Sequence, residues 1–99
     1  MDFSTTRADG VATLRIEGEL DAVTIPVLRP SLDALVAEHN PRIVVDLSNL
    51  RLIDSSGVGA LVFLYKKAKE YGGDLTVAGA CDQPLSIFKL LRLDRVLFG

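Results

Sequence analysis

The sequence predicts an α/β domain, and three observations carry that reading. Two strand-like runs near the N-terminus flank an Asp9-Gly10 pair; short β-branched runs then alternate with segments of helical period; and Gly72-Gly73 separates the strongest helical segment from a further strand. Strands alternating with helices imply parallel neighbours joined by right-handed crossovers, because the helix must pack back onto the sheet. The predicted order is β-β-α-β-α-β-α-β, a mixed sheet of about five strands.

Each element has its own warrant. Phe3 to Thr6 and Val11 to Ile16 are strand-like, and Asp-Gly between them supplies the positive φ angles of a tight hairpin. Thr24 offers a cap to a helix whose Leu28, Leu32, Leu35 and Val36 recur at helical spacing and which ends near His39-Asn40-Pro41. Pro26 suits a first turn, but Pro30 removes a backbone bond inside the pattern, so a kink or a start as late as Pro30 is expected. Arg42 to Leu47, with Ile43-Val44-Val45, reads as a central strand covered on both faces.

After Ser48 to Ser56, the stretch Gly57 to Tyr71 places Val58, Leu61, Val62, Tyr65 and Ala68 on one side and Lys66, Lys67 and Lys69 on a solvated face. Leu75 to Ala78 reads as a strand and Pro84 to Leu91 as a third helix carrying Leu85, Phe88, Leu90 and Leu91. Val96 to Phe98 reads as a short final strand. No repeat, linker or low-complexity segment interrupts residues 1–99, so one domain is assigned.

Composition narrows the function. A chain of 99 residues, nearly half apolar, supports one modest core. Its formal charge of −2 comes from interspersed signs, with no basic stripe to neutralise phosphates, so direct nucleic-acid binding is not expected. Met1 to Arg7 resembles no targeting segment, and the apolar run Gly57 to Leu64 is too short to cross a bilayer; a soluble, cytoplasmic protein is expected. Cys81 and His39 are each alone of their kind, which leaves no zinc set; Cys81 is assigned to packing or to no role.

The chemically informative stretch is Asp54-Ser55-Ser56-Gly57-Val58-Gly59, between an extended segment and the second helix. Unpaired amides and the helix dipole make such a turn a place where a phosphoryl group is held or accepted. The plainer reading is that Ser55 or Ser56 is only an N-cap. Gly57 admits a neighbouring backbone, and Gly59 is expected to do the same for helix packing. Catalytic readings fare poorly. There is no nucleophile elbow, no phosphate loop and no histidine placed for a dyad, and Asp21 and Asp54 read as turn residues before helices.

Gly18-Glu19-Leu20-Asp21, the strand Ile43-Val44-Val45-Asp46-Leu47, and Ile53-Asp54-Ser55-Ser56-Gly57-Val58-Gly59 together resemble the STAS family of bacterial anti-sigma-factor antagonists, over nearly the whole chain. Tyr71-Gly72-Gly73 before a strand is similar too. The resemblance implies a single STAS-like domain and a partner switch, not an enzyme. In it the unphosphorylated form binds an anti-sigma factor that is also a serine kinase and so frees a sigma factor. Phosphorylation of Ser55 reverses this, and a metal-dependent serine phosphatase resets it. It implies no cofactor of the chain's own, ATP and magnesium belonging to the kinase. Asp21, Asp54, Ser55, Ser56 and Gly57 are the expected partner-binding residues, with Ser56 capping the helix or orienting the loop. The free chain is expected to be a monomer or weak dimer. Two rivals are a STAS adaptor fixed on the ATPase of a lipid transporter, with no phosphorylation cycle, and a small nucleotide-binding or phosphotransfer enzyme.

Overall fold

Asp9 and Gly10 both adopt positive φ, 53° and 79°, and close a two-residue hairpin between β1 (Asp2–Ala8) and β2 (Val11–Leu20). The computed structural model that shows this describes residues 1–98. Seven further elements follow: α1 (Ile25–Ala37), β3 (Arg42–Asp46), β4 (Leu50–Ile53), α2 (Ser55–Glu70), β5 (Asp74–Ala78), α3 (Asp82–Leu90) and α4 (Asp94–Leu97).

The sheet is mixed and five-stranded, ordered β1-β2-β3-β5 with β4 also on β2. Only the hairpin is antiparallel; β2 with β3, β2 with β4 and β3 with β5 are parallel. β3 and β4 follow one another along the same side of β2. Val11 to Arg15 pair with Arg42 to Asp46, then Gly18 pairs with Leu50 and Leu20 with Ile53, so the register slips between the two halves. β2 is thus the one strand that reaches from the core to the loops at the sheet's C-terminal end.

Alternation places Ala12, Leu14 and Ile16 on the face that meets the helices, where all are fully buried with Ile43 and Val45. Leu28, Leu32 and Leu35 of α1 and Leu61, Leu64 and Ala68 of α2 close that core. The buried set among the described residues contains no polar or charged side chain.

Several expectations are corrected. α1 begins at Ile25 and runs through Pro30, which is exposed. Its lost bond costs about 3 kcal/mol, less than three buried leucines at ~1.5–3 kcal/mol each return. Leu50–Ile53, inside a segment given no element, is a strand; four residues are too few to show a period. Val96–Phe98, expected as a strand, belongs instead to a helical turn in which the amides of Val96 and Leu97 donate to the Leu93 carbonyl. That turn buries Leu97 and sets Phe98 edge-on to Phe88, 5.5 Å between ring centres. Of the two readings of Cys81, packing or no role, its exposure favours the second. Leu90 and Leu91 are exposed, whereas Phe88 is core.

Candidate functional site

Two turns meet at the C-terminal ends of β2 and β4. The Asp54 amide donates to the Leu20 carbonyl at 3.2 Å, extending the parallel pairing by one step. Beyond it, Asp54 adopts extended φ/ψ and is the N-cap of α2: Oδ1 accepts from the Gly57 amide at 2.8 Å, and Oδ2 accepts from the Ala22 amide at 3.3 Å. One carboxylate therefore starts the helix and ties down the neighbouring turn.

That turn is held by Asp21. Its Oδ1 accepts from the amides of Val23 and Thr24, each at 3.0 Å, an Asx-type turn that delivers the chain into α1. The Thr24 hydroxyl accepts from the Asp21 amide at 2.9 Å and donates to the Glu19 carbonyl at 3.2 Å. Thr24 is the N-cap by position, yet its hydroxyl makes no cap bond to α1 because it is spent on the turn.

Gly57 fixes the spacing of the two turns. A β-carbon there would stand 2.6 Å from the Leu20 carbonyl oxygen and 2.7 Å from Ile53 Cγ1, so only glycine lets α2 start this close to β2. Gly59 corrects the expectation of a packing role. A β-carbon there would meet nothing within 4 Å, and the residue is exposed on the first turn of α2.

Ser55 is the first residue of α2 and Ser56 the second; both are exposed. Neither is the cap, so the plainer reading of these serines is corrected, as is the role of Ser56 as capping residue; Asp54 takes that position. The hydroxyl of Ser55 is instead presented to solvent beside amides that have no intrahelical acceptor. Of the expected site residues, Asp21, Asp54, Ser55, Ser56 and Gly57 all fall within these two joined turns.

Sequence reasoning passed over the apolar neighbours. Val23 is 82% and Val27 64% exposed, one turn apart at the start of α1. The signal was available: both fall outside the Leu28, Leu32, Leu35 stripe. Further along, Arg29 of α1 lies 5.4 Å from the centre of the Phe63 ring on α2, and Lys67 lies 5.6 Å from it. Val23 and Val27 thus flank the joined turns as exposed aliphatic side chains, whereas the cation-flanked Phe63 ring lies further along α2.

A second polar cluster sits at the end of β3. Asp46 Oδ1 accepts from the Ser48 hydroxyl at 2.5 Å and the Ser48 amide at 2.9 Å, while Oδ2 accepts from Arg15 at 3.2 Å. The two Ser48 bonds, then Arg15, hold this carboxyl below the usual carboxylate range. Among the described residues no group of three or more metal-ligating side chains gathers, and no helix is long and apolar enough to cross a membrane. His39 is exposed and rests against Tyr71, ring centres 4.8 Å apart.

Two joined turns, one of them carrying the exposed Ser55, thus stand at one end of a small sheet-and-helix scaffold. The family described as Mlab, STAS domain, matches residues 3–98, and the chain belongs to the STAS family. It is 35% identical over 83 residues to an anti-sigma F factor antagonist of Paenibacillus polymyxa, covering 83% of this chain and 68% of that one. It is 28% identical over 93 residues to an anti-sigma-B factor antagonist of Staphylococcus aureus, covering 94% and 86%. Among solved structures, an anti-sigma factor antagonist from Mycobacterium paratuberculosis matches with TM-score 0.87 and 29% identity, over 97% of this chain and 81% of that one. These relatives are regulatory binding proteins, not enzymes, and the chain is a protein of that kind.

Proposed function

We propose that this chain is an anti-sigma-factor antagonist whose binding is switched by phosphorylation of Ser55. The observation that carries the reading is the placement of Ser55: exposed, first in α2, and anchored through Asp54 to the turn that holds Asp21. The relatives named as antagonists of anti-sigma factors support the choice of partner.

In this reading the unphosphorylated surface meets an anti-sigma factor that is a serine kinase and so frees a sigma factor. Val23, Val27 and the bare backbone at Gly59 supply contact, with Asp21, Asp54 and Ser56 at its centre. The kinase brings ATP and magnesium, and the Ser55 oxygen attacks the γ-phosphorus, the β–γ bridging bond breaks, ADP leaves, and the hydroxyl proton passes to the kinase. The chain needs only an accessible hydroxyl.

The phosphate adds about −1.5 to −2 charge next to Asp54. The first-turn amides of α2 accept that charge in the free protein, so no refolding is needed. Inside the complex the same charge faces partner groups. Against one carboxylate at ~6 Å and an effective dielectric of ~20, the repulsion is a few kcal/mol, and each ~1.4 kcal/mol is tenfold in affinity. A metal-dependent serine phosphatase restores the hydroxyl.

The test is intact-mass analysis of wild type and Ser55→Ala after incubation with ATP, magnesium and serine-kinase anti-sigma factors of the source genome. One added phosphate on wild type alone, with loss of the complex, is expected. Binding without transfer from any kinase would replace the switch by a fixed adaptor.

A further inference from the structure

Strand β1 has a single neighbour. It pairs with β2 along all of Asp2–Ala8, ends the sheet, and takes no backbone bond from any other element among the described residues. The hairpin sets the phase of its free side. A two-residue turn with positive φ at both positions closes on a hydrogen-bonded pair, here Ala8 with Val11. Bonded and non-bonded pairs then alternate, so Asp2, Ser4, Thr6 and Ala8 turn their N–H and C=O groups to β2, while Phe3, Thr5 and Arg7 turn theirs outward. The strand carries no proline, lysine or bulge to blunt it; its two charges are Asp2 at one end and Arg7 near the other, the latter paired with Glu38. The opposite edge is better protected: β5 is shorter, α4 packs beside it, and the Leu75 amide is taken by the Asp74 carboxylate at 2.8 Å.

We propose that β1 is a self-pairing edge, through which two copies of this chain join antiparallel into one continuous sheet. One register is singled out. Thr5 is the middle residue of Asp2–Ala8 and also one whose backbone faces outward, so full overlap and correct bonding phase coincide only with Thr5 opposite its own copy. Phe3 then lies opposite Arg7, Ser4 opposite Thr6, and Asp2 opposite Ala8, with about six main-chain bonds across the two-fold axis. Phe3, Thr5 and Arg7 stand opposite Ile16, Leu14 and Ala12 on the helix-covered face, so each Phe3 ring receives an Arg7 guanidinium from the other copy. Glu38 already holds that guanidinium, at 2.6 Å, in its own copy. Antiparallel pairing also keeps Asp2 from Asp2 and Arg7 from Arg7, which parallel pairing would stack. The contact is a single strand's width, so the association is reversible and weak.

The test is sedimentation equilibrium of the full chain from ~20 μM to ~1 mM, a range that brackets weak association, with Thr5→Pro as the variant. Proline at Thr5 removes an outward amide and leaves the β1–β2 ladder intact. The average mass of the wild type is expected to rise toward twice the monomer, and that of Thr5→Pro to stay at one, with an unchanged circular dichroism spectrum. Because the variant could be impaired in folding, amide exchange of the wild type supplies a second reading. Exchange at Phe3, Thr5 and Arg7 should slow about two-fold with concentration, and that at Ser4 and Thr6 should not. A wild type that is monomeric at ~1 mM, a folded Thr5→Pro that still dimerises, or protection that maps to Leu90, Leu91 and Val96 instead would each overturn the proposal.

Discussion

Asp54 reaches across 32 residues of sequence to accept the Ala22 amide at 3.3 Å, so the turn that presents Ser55 and the turn that presents Val23 are joined through one carboxylate. Asp54→Ala should therefore cost about 1–2 kcal/mol of stability, through the lost cap of α2 and the loosened Ala22 turn, read as a lower urea midpoint at unchanged slope. Asp54→Asn, which keeps the acceptor oxygen, should lose less.

The two glycines of α2 should respond in opposite directions. Gly57→Ala drives a β-carbon to 2.6 Å from the Leu20 carbonyl oxygen and should destabilise by about 1–3 kcal/mol. Gly59→Ala meets open space in a helical turn and should stabilise by about 0.5–1 kcal/mol. Chemical denaturation of both variants side by side checks the sign.

Charge at Ser55 should separate stability from binding. Ser55→Asp places a carboxylate at the first position of α2 and should leave the melting temperature equal or slightly raised, by about 0.3–1 kcal/mol in stability. Affinity for the partner should fall at least tenfold, as measured by calorimetry against the anti-sigma factor. A variant that melts early would instead point to refolding as the switch.

Val23→Ser and Val27→Ser remove apolar side chains that are 82% and 64% exposed. Stability should change by less than about 0.5 kcal/mol, while partner affinity should fall. Unchanged affinity would move the docking surface away from the start of α1.

Asp46 makes a pH prediction. Its carboxyl is held low in the folded chain by the two Ser48 bonds first and by Arg15 after them. A lowered folded-state pKa contributes stability that is fully present above the unfolded value and is lost as pH falls through the folded one. Asp46→Asn should therefore weaken the protein at pH 7 and flatten the loss of stability below about pH 4. Denaturation from pH 7 down to about pH 2.5 measures both.

The hairpin, β3 and α2 were legible because each is set by local chemistry: Asp9-Gly10 at the turn, Ile43-Val44-Val45 in a covered strand, a long one-sided period before Gly72. That Asp21 and the Asp54 to Gly57 segment belong together was foreshadowed by the Gly18-Glu19-Leu20-Asp21 and Asp54-Ser55-Ser56-Gly57 segments, which the structure brings into two joined turns. What was not legible depends on tertiary context. Pro30 reads as a helix breaker until the burial of Leu28, Leu32 and Leu35 is known. Leu50–Ile53 becomes a strand only because the far end of β2 is there to receive it. Val96 to Phe98 has strand-like residues, but Leu97 and Phe98 find their partners by coiling back onto Phe88. Asp54, not a serine, is the cap because α2 begins at Ser55, and its carboxylate serves both turns with one oxygen each.

The slip in register along β2 has a consequence for how such a chain can diversify. Between Asp46 and Leu50 the pairing changes step, yet the spacer that makes the step is itself anchored: Leu47 is fully buried and its amide donates to the Ala78 carbonyl, Ser48 holds the Asp46 carboxylate, and the Asn49 carbonyl accepts from the Gly18 amide. A residue gained or lost there would pull Leu47, Leu50 and Ile53 out of the core. Lineages are thus confined to re-facing the recognition end by substitution, at a fixed spacer length.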